Sequence, residues 1–341
     1  MAISNKLSWL AAPLVALLLL AATDAWLRTW NPTPLRLPEH FSAAYLEREA
    51  QRFKTEPNLV LVLGDSVLWG YGVPDRQTAV ALLGARFRNV HIENLSFEGG
   101  SPVNSELLLR YLLTEGVRPR LVLFNINLAA FNTFQTYATP TPALEDLAEP
   151  ELTKFDRSRL VLVHQNTGTF RTKVDRAVES HWLFYRLRLD LHQAAFRDVD
   201  AVSALNSIYE KWSGIASRRK SERNSDPERY LGIYDLAPIT PANSSYEYTV
   251  RMLDDLQANH ISLKAFLTPT NHALLHQYID VPAYDHNLAK LQRLFARRGV
   301  PVLNLDRVFS ARLFLDNVHL TSEGNRLLAD RLAKTITPLL R

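Results

Sequence analysis

Apolar and polar positions follow two periods along this chain. Leu59–Leu63, 121–127, Ser262–Leu267 and Val300–Leu305 are short, mostly apolar runs, and Val90–Leu95 alternates like a short strand. Runs of this length bounded by polar or turn residues predict strands, the most apolar of them buried on both faces. Thr78–Phe87, Ser105–Glu115, Tyr284–Arg298 and Gly324–Leu340 carry the helical period between and after them. Gly116 and Gly299 close two of these segments, as glycine closes helices elsewhere. Strands alternating with helices predict an α/β fold: a three-layer sandwich whose central sheet is mostly parallel, with helices on both faces.

Three stretches break the alternation. Leu7–Ala22 contains no charge, and Trp9 and Trp26 stand near the two ends of the apolar segment. An uncharged segment without a polar face predicts an N-terminal transmembrane helix, with the tryptophans as interfacial anchors. No small-x-small cleavage site follows it, which favours an uncleaved, single-pass anchor at the cytoplasmic membrane over a removed signal. The default orientation then places the rest of the chain on the extracytoplasmic, periplasmic side. Asn31–Pro38 holds three prolines and predicts an extended spacer, and Phe41–Phe53 predicts an amphipathic helix. The expected organisation is a membrane anchor over 1–30, a linker and helix over 31–57, and a catalytic-type domain over 58–341. A long, mostly helical insertion at about 132–260 interrupts that domain above the sheet edge where ligands bind in open α/β folds.

Composition narrows the chemistry. The 341 residues include no cysteine, which excludes disulfides, thiolate metal sites and a cysteine nucleophile. The net charge of +4 is modest, and the basic run Ser217–Arg223 lacks interleaved aromatics, so a solvated face is expected there rather than a nucleic-acid site. His272 and His276 share a helical spacing, but Ala273 stands where a zincin motif needs glutamate. Neither metal nor cofactor is expected.

Four blocks carry chemistry in order. Gly64-Asp65-Ser66 follows a strand and precedes a helix, where a hydroxyl projects above the sheet edge and a helix N-terminus offers N–H groups to an anion. Asn94–Gly100 lies in a loop after a strand, Asn125-Ile126-Asn127 ends a strand, and Asp316-Asn317-Val318-His319 precedes the terminal helix. Singly, each has a plain structural use; Ser66 could be a helix cap and Gly99-Gly100 a turn. Together they resemble the SGNH/GDSL hydrolase superfamily over roughly residues 58–128 and 262–341. The resemblance implies a flavodoxin-like sandwich and a serine esterase or O-acyltransferase. It implies Ser66 as nucleophile, His319 as base and Asp316 as its partner, with an oxyanion hole from the Ser66 and Gly99 N–H groups and the Asn127 amide. The third block departs from the family's Gly-x-Asn-Asp, with Asn125 and Leu128 in place of the glycine and the acid.

Asp65, Asn271 and His272 are further candidate substrate contacts, the last two also readable as a polar loop cap. The expected function is ester hydrolysis or acyl transfer, with acetyl the first choice, on a cell-envelope polysaccharide or related carbohydrate. The partners implied are an acylated carbohydrate or lipid substrate, the membrane, and a membrane-bound acyltransferase or polysaccharide machinery, with no nucleic acid. Two other readings stand beside it: a non-catalytic envelope protein that binds glycan, and a lysophospholipase or thioesterase with an apolar acyl channel.

Overall fold

The computed structural model describes residues 4–27, 35–38, 41–133, 138–148, 150, 152–162, 226–230 and 232–340, with isolated positions between 174 and 185. Five parallel strands, β1 (Leu59–Leu63), β2 (His91–Asn94), β3 (Leu121–Ile126), β4 (Ser262–Leu267) and β5 (Val302–Asn304), pair in the order β2-β1-β3-β4-β5. The helices are α1 (Ser4–Leu27), α2 (Ala43–Phe53), α3 (Ser66–Trp69), α4 (Ala79–Arg86), α5 (Pro102–Thr114), α6 (Pro142–Ala148), α7 (Lys154–Arg159), α8 (Ser244–Ala258), α9 (His272–Ile279), α10 (Pro282–Ala296) and α11 (Ser322–Leu340).

The strand period sorts side chains into two cores. Leu59, Leu61 and Leu63 of β1, with Val122, Phe124 and Ile126 of β3, pack on one face against residues of α2, α5, α8 and α10. Val60 and Val62, with Leu121 and Leu123, pack on the other face against α4 and α11. All five β1 side chains are buried, each stabilising the fold by about 1.5–3 kcal/mol relative to exposure. Polar caps start the covering helices. Thr78 accepts from the Ala81 N–H at α4, Ser101 from Asn104 at α5, where Pro102 opens the helix, and Asn243 from Tyr246 at α8.

The fold moves the expected boundaries in two places. The α2 helix belongs to the domain, since Tyr45, Leu46, Ala50 and Phe53 are buried in the main core. The α8 helix, expected within the insertion, is the crossover that leads into β4 and packs along α5. Regular α/β structure therefore resumes by Ser244. The described end of the spacer is not solvated: Arg36, Leu37 and Pro38 are buried. Among the described residues no helix is long and apolar enough to cross a membrane. The α1 helix runs for 24 residues with Pro13 inside it, and Leu14, Val15, Leu17, Leu18 and Leu19 are each more than half exposed.

Most of the insertion, including the basic run 217–223 and Leu187–Leu191, lies outside the described residues. Its opening is tied down by a buried carboxylate. Asp156 of α7 accepts from the Tyr248 hydroxyl at 2.7 Å and from Arg251 at 3.0 Å, both on α8, and from Arg110 of α5 at 3.3 Å.

Candidate active site

The site forms where strand order reverses. The chain leaves β1 for β2 on one side, then crosses to β3 on the other, so the carboxyl ends of β1 and β3 flank the crevice that open α/β sheets offer to ligands. Ser66 follows β1 and Asn127 follows β3.

Backbone and side chains lock the first turn. Gly64 is required by close approach: a Cβ there would lie 1.8 Å from Oδ1 of Asn125. That oxygen accepts the Asp65 N–H at 3.2 Å, while the Asn125 amide donates to Asp65 Oδ1 at 2.8 Å and to Thr268 Oγ1 at 2.9 Å. Asn125, at the resembled family's glycine position, thus ties β1, β3 and the end of β4 together. Gly100 is equally constrained, since its Cβ would meet the Gly64 carbonyl at 2.2 Å. Asp65 caps α3 by accepting the Val67 N–H at 2.9 Å, which leaves Ser66 as the first helical residue.

A second tight turn supplies the acid and base. Phe314 and Leu320 form an antiparallel bridge, and the Leu315 N–H donates to the His319 carbonyl at 2.7 Å. Within the turn, Asp316 Oδ1 accepts the Val318 and His319 N–H groups at 3.0 and 2.8 Å. This aspartate turn leaves Oδ2 facing the ring, 2.6 Å from His319 Nδ1. On the other side of the ring, Nε2 lies 2.7 Å from Ser66 Oγ. Burial raises the Asp316 carboxyl, but the bonds from the His319 ring and from the turn N–H groups outweigh it and hold the carboxyl below its usual value.

Ser66, His319 and Asp316 therefore form one hydrogen-bonded line from a half-buried hydroxyl to an ionised carboxylate. With Nδ1 donating to Asp316, Nε2 is free to accept the serine proton, the arrangement that activates a hydroxyl for attack on a carbonyl.

The other expected residues divide. The Ser66 and Gly99 N–H groups have no acceptor among the described residues, and Gly99 is exposed. Both remain open to an anion. Asn127 is half-buried, and its amide donates one proton to Asp65 Oδ2 at 2.8 Å, so only its second proton is open. Asp65, a candidate substrate contact, is buried, and its carboxylate receives Val67, Asn125 and Asn127; it organises the turn. Asn271 is also buried. It caps α9, and its amide donates to the Asp316 carbonyl at 2.9 Å, so it props the acid-bearing turn instead of facing substrate. Both ring nitrogens of His272 are engaged, Nδ1 with Asp280 at 2.6 Å and Nε2 with Asp306 at 3.1 Å. A polar, capped strand end is indistinguishable by sequence from a substrate-facing one, and for Asn271 the loop-cap reading is the one the hydrogen bonds favour.

Two neighbours of the triad were not among the expected site residues. Tyr71 is 40% exposed, and its ring lies 4.5 Å from the His319 ring, centroid to centroid. Its place between Gly70 and Gly72 in the nucleophile block was the available clue. Tyr230, at the returning end of the insertion, is buried beside the acid-bearing turn. Burial first, then the Asp316 charge, push its hydroxyl up to about 12.

No protein-family model matches the chain, and no curated protein does. Solved structures do resemble it. A member of the lipolytic G-D-S-L family from Veillonella parvula aligns with 11% identity and a TM-score of 0.39, covering 82% of this chain and 98% of that one. A psychrotrophic esterase from Pseudoalteromonas sp., inhibited by monoethylphosphonate, aligns with 12% identity and a TM-score of 0.39, covering 83% and 99%. A lipase/acylhydrolase from Enterococcus faecalis aligns with 12% identity and a TM-score of 0.39, covering 83% and 96%. At these scores the function is argued from the site's own geometry.

Proposed function

We propose that this protein is an SGNH/GDSL-type serine esterase that works through an acyl-enzyme on Ser66. The observation that carries the reading is the unbroken line Ser66 Oγ–His319 Nε2, 2.7 Å, and His319 Nδ1–Asp316 Oδ2, 2.6 Å. His319 takes the Ser66 proton as Oγ adds to the ester carbonyl, and returns it to the leaving alcohol as the tetrahedral intermediate collapses. Asp316 holds the tautomer and stabilises the imidazolium. The open N–H groups of Ser66 and Gly99 and the second Asn127 amide proton are the donors for the oxyanion, each worth about 3–4 kcal/mol where geometry is good. A glycan-binding protein without catalysis would need no such aligned base.

The test uses the full chain in detergent with an activated acetyl ester. Turnover and a trapped acetyl adduct on the Ser66 peptide are expected, and both vanish in Ser66→Ala. Wild-type protein that neither turns over nor acquires the adduct sinks the esterase reading.

We further propose that the acyl group, acetyl by preference, is carried by a carbohydrate of the cell envelope. The exposed Tyr71 ring beside His319 supports this, because a partly exposed aromatic ring next to the base suits the apolar face of a sugar. Transfer to a sugar hydroxyl in place of water is the same chemistry with a different acceptor, and a membrane-bound acyltransferase is the partner that would supply the acyl group. We also propose that α1 inserts into the membrane, with the catalytic domain on the extracytoplasmic side. Five exposed aliphatic side chains on one helix support an apolar surrounding. The full chain is expected to float with phospholipid vesicles. Replacing Leu17 and Leu18 by aspartate is expected to leave it in the dense fraction; flotation unchanged by that replacement overturns insertion.

A further inference from the structure

The α3 helix is a single turn of four residues that carries the nucleophile at its first position. One turn of helix is not stable by itself, because nucleation fixes several residues for one hydrogen bond. Its last carbonyls also need partners from outside. Asn94 supplies one, its amide donating to the Leu68 carbonyl at 3.0 Å.

Residues 35–38 supply partners for the carbonyls that follow. Arg36 is 3% exposed, and its Nη1 donates to the Trp69 carbonyl at 3.1 Å and the Gly70 carbonyl at 2.9 Å. Its Nη2 pairs with Asp75 at 2.8 Å, and the guanidinium stacks on the Trp69 ring, 4.1 Å from the centroid. Trp69 in turn donates its indole N–H to the Leu37 carbonyl at 2.8 Å, and the Leu37 N–H donates to the Asn94 carbonyl at 3.2 Å. The strap and the nucleophile turn thus hold each other at several points.

We propose that Arg36 is a positioning residue for the nucleophile: by clamping the carboxyl end of α3 it sets the place of Ser66 Oγ against His319. A buried cation costs desolvation, and one placed for packing alone would be better replaced by an apolar side chain. Here the charge sits at the negative end of the helix dipole; one guanidinium nitrogen spans two adjacent carbonyls while the other holds Asp75 and the planar group stacks on Trp69, a combination that lysine cannot reproduce. A shift of a few tenths of an ångström at Oγ is enough to lower the rate without changing how substrate binds. The inference rests on the Ser66 esterase reading.

The experiment compares wild type, Arg36→Ala and Arg36→Lys as full chains. Two readouts are used: steady-state kinetics on an activated acetyl ester, and hydrogen exchange of the peptide spanning Gly64–Gly72. Arg36→Ala is expected to lower kcat about tenfold with KM within about twofold, and to lose exchange protection in that peptide. Arg36→Lys is expected to fall between the two, and it carries the test if the alanine variant does not fold. Folded variants with wild-type kcat overturn the proposal, as does an equal loss in kcat and affinity. If wild type itself is inactive, the esterase reading fails first and the positioning role with it. Exchange still shows then whether Arg36 clamps α3.

Discussion

His319 and His272 each lie between two hydrogen-bonding partners, and of this pair only His319 is placed to act as a base. His319 has a carboxylate on Nδ1 and a hydroxyl on Nε2. His272 has a carboxylate on each side, Asp280 and Asp306, with the Tyr284 ring edge-on against it. Two flanking carboxylates favour the protonated ring. Burial alone would lower the His272 pKa, but the bonds to Asp306 and Asp280 outweigh it and raise it. Both of its nitrogens are taken by carboxylates, so neither faces a substrate. The His319 ring keeps Nε2 for the serine hydroxyl. The same residue type beside the same acid becomes a base or a rivet according to what meets its second nitrogen.

The comparison can be broken most sharply at Asp316. Asp316→Asn keeps the turn's shape but removes the carboxylate that selects the His319 tautomer, and is expected to lower kcat by about 10³–10⁴-fold with little change in KM. Steady-state kinetics with the same ester checks this, and a loss below tenfold would mean that His319 does not depend on its carboxylate. A smaller effect is expected at His272. His272→Gln should leave turnover within about twofold of wild type while lowering the thermal midpoint by roughly a few degrees at pH 6. The sign of the pH dependence follows from the raised pKa. The stability contributed by His272 is fully present below its unfolded value of 6.5 and is lost as pH rises through the higher folded value. The gap between variant and wild type should therefore narrow from pH 6 towards pH 9 in a melting series. A gap that widens instead would mean the ring is held neutral.

Much of the fold was legible because period alone sorts it. The runs at Leu59–Leu63 and Ser262–Leu267 became strands over those same residues, and Leu59–Leu63, apolar throughout, is the one buried along its whole length between two layers. The triad was legible through a resemblance: Gly64-Asp65-Ser66 and the Asp316-x-x-His319 pair resemble blocks of the SGNH/GDSL superfamily, each beside a regular element. What remained hidden was held by contacts across long separations. Arg36 reads as a charged residue in a proline-rich spacer, and nothing local says that it meets carbonyls of Trp69 and Gly70. Asn125 reads as a departure from a family pattern, and only the approach of β1 and β4 shows why an amide belongs there. Asp65 and Asn271 read as polar groups near a site, and their hydrogen bonds turn inward.

The sequence by itself determined the order of strands and helices, the two faces of each strand, and the three residues able to form a Ser–His–Asp line. The first two follow from hydrophobic period, and the three residues from the resemblance of their blocks to the SGNH/GDSL superfamily. Only the tertiary structure decided which histidine is free to accept a proton, which polar side chains face inward, and what holds the nucleophile turn in place. These depend on which groups meet across the sheet edge, and a hydrogen bond between residues far apart in the chain leaves no local trace.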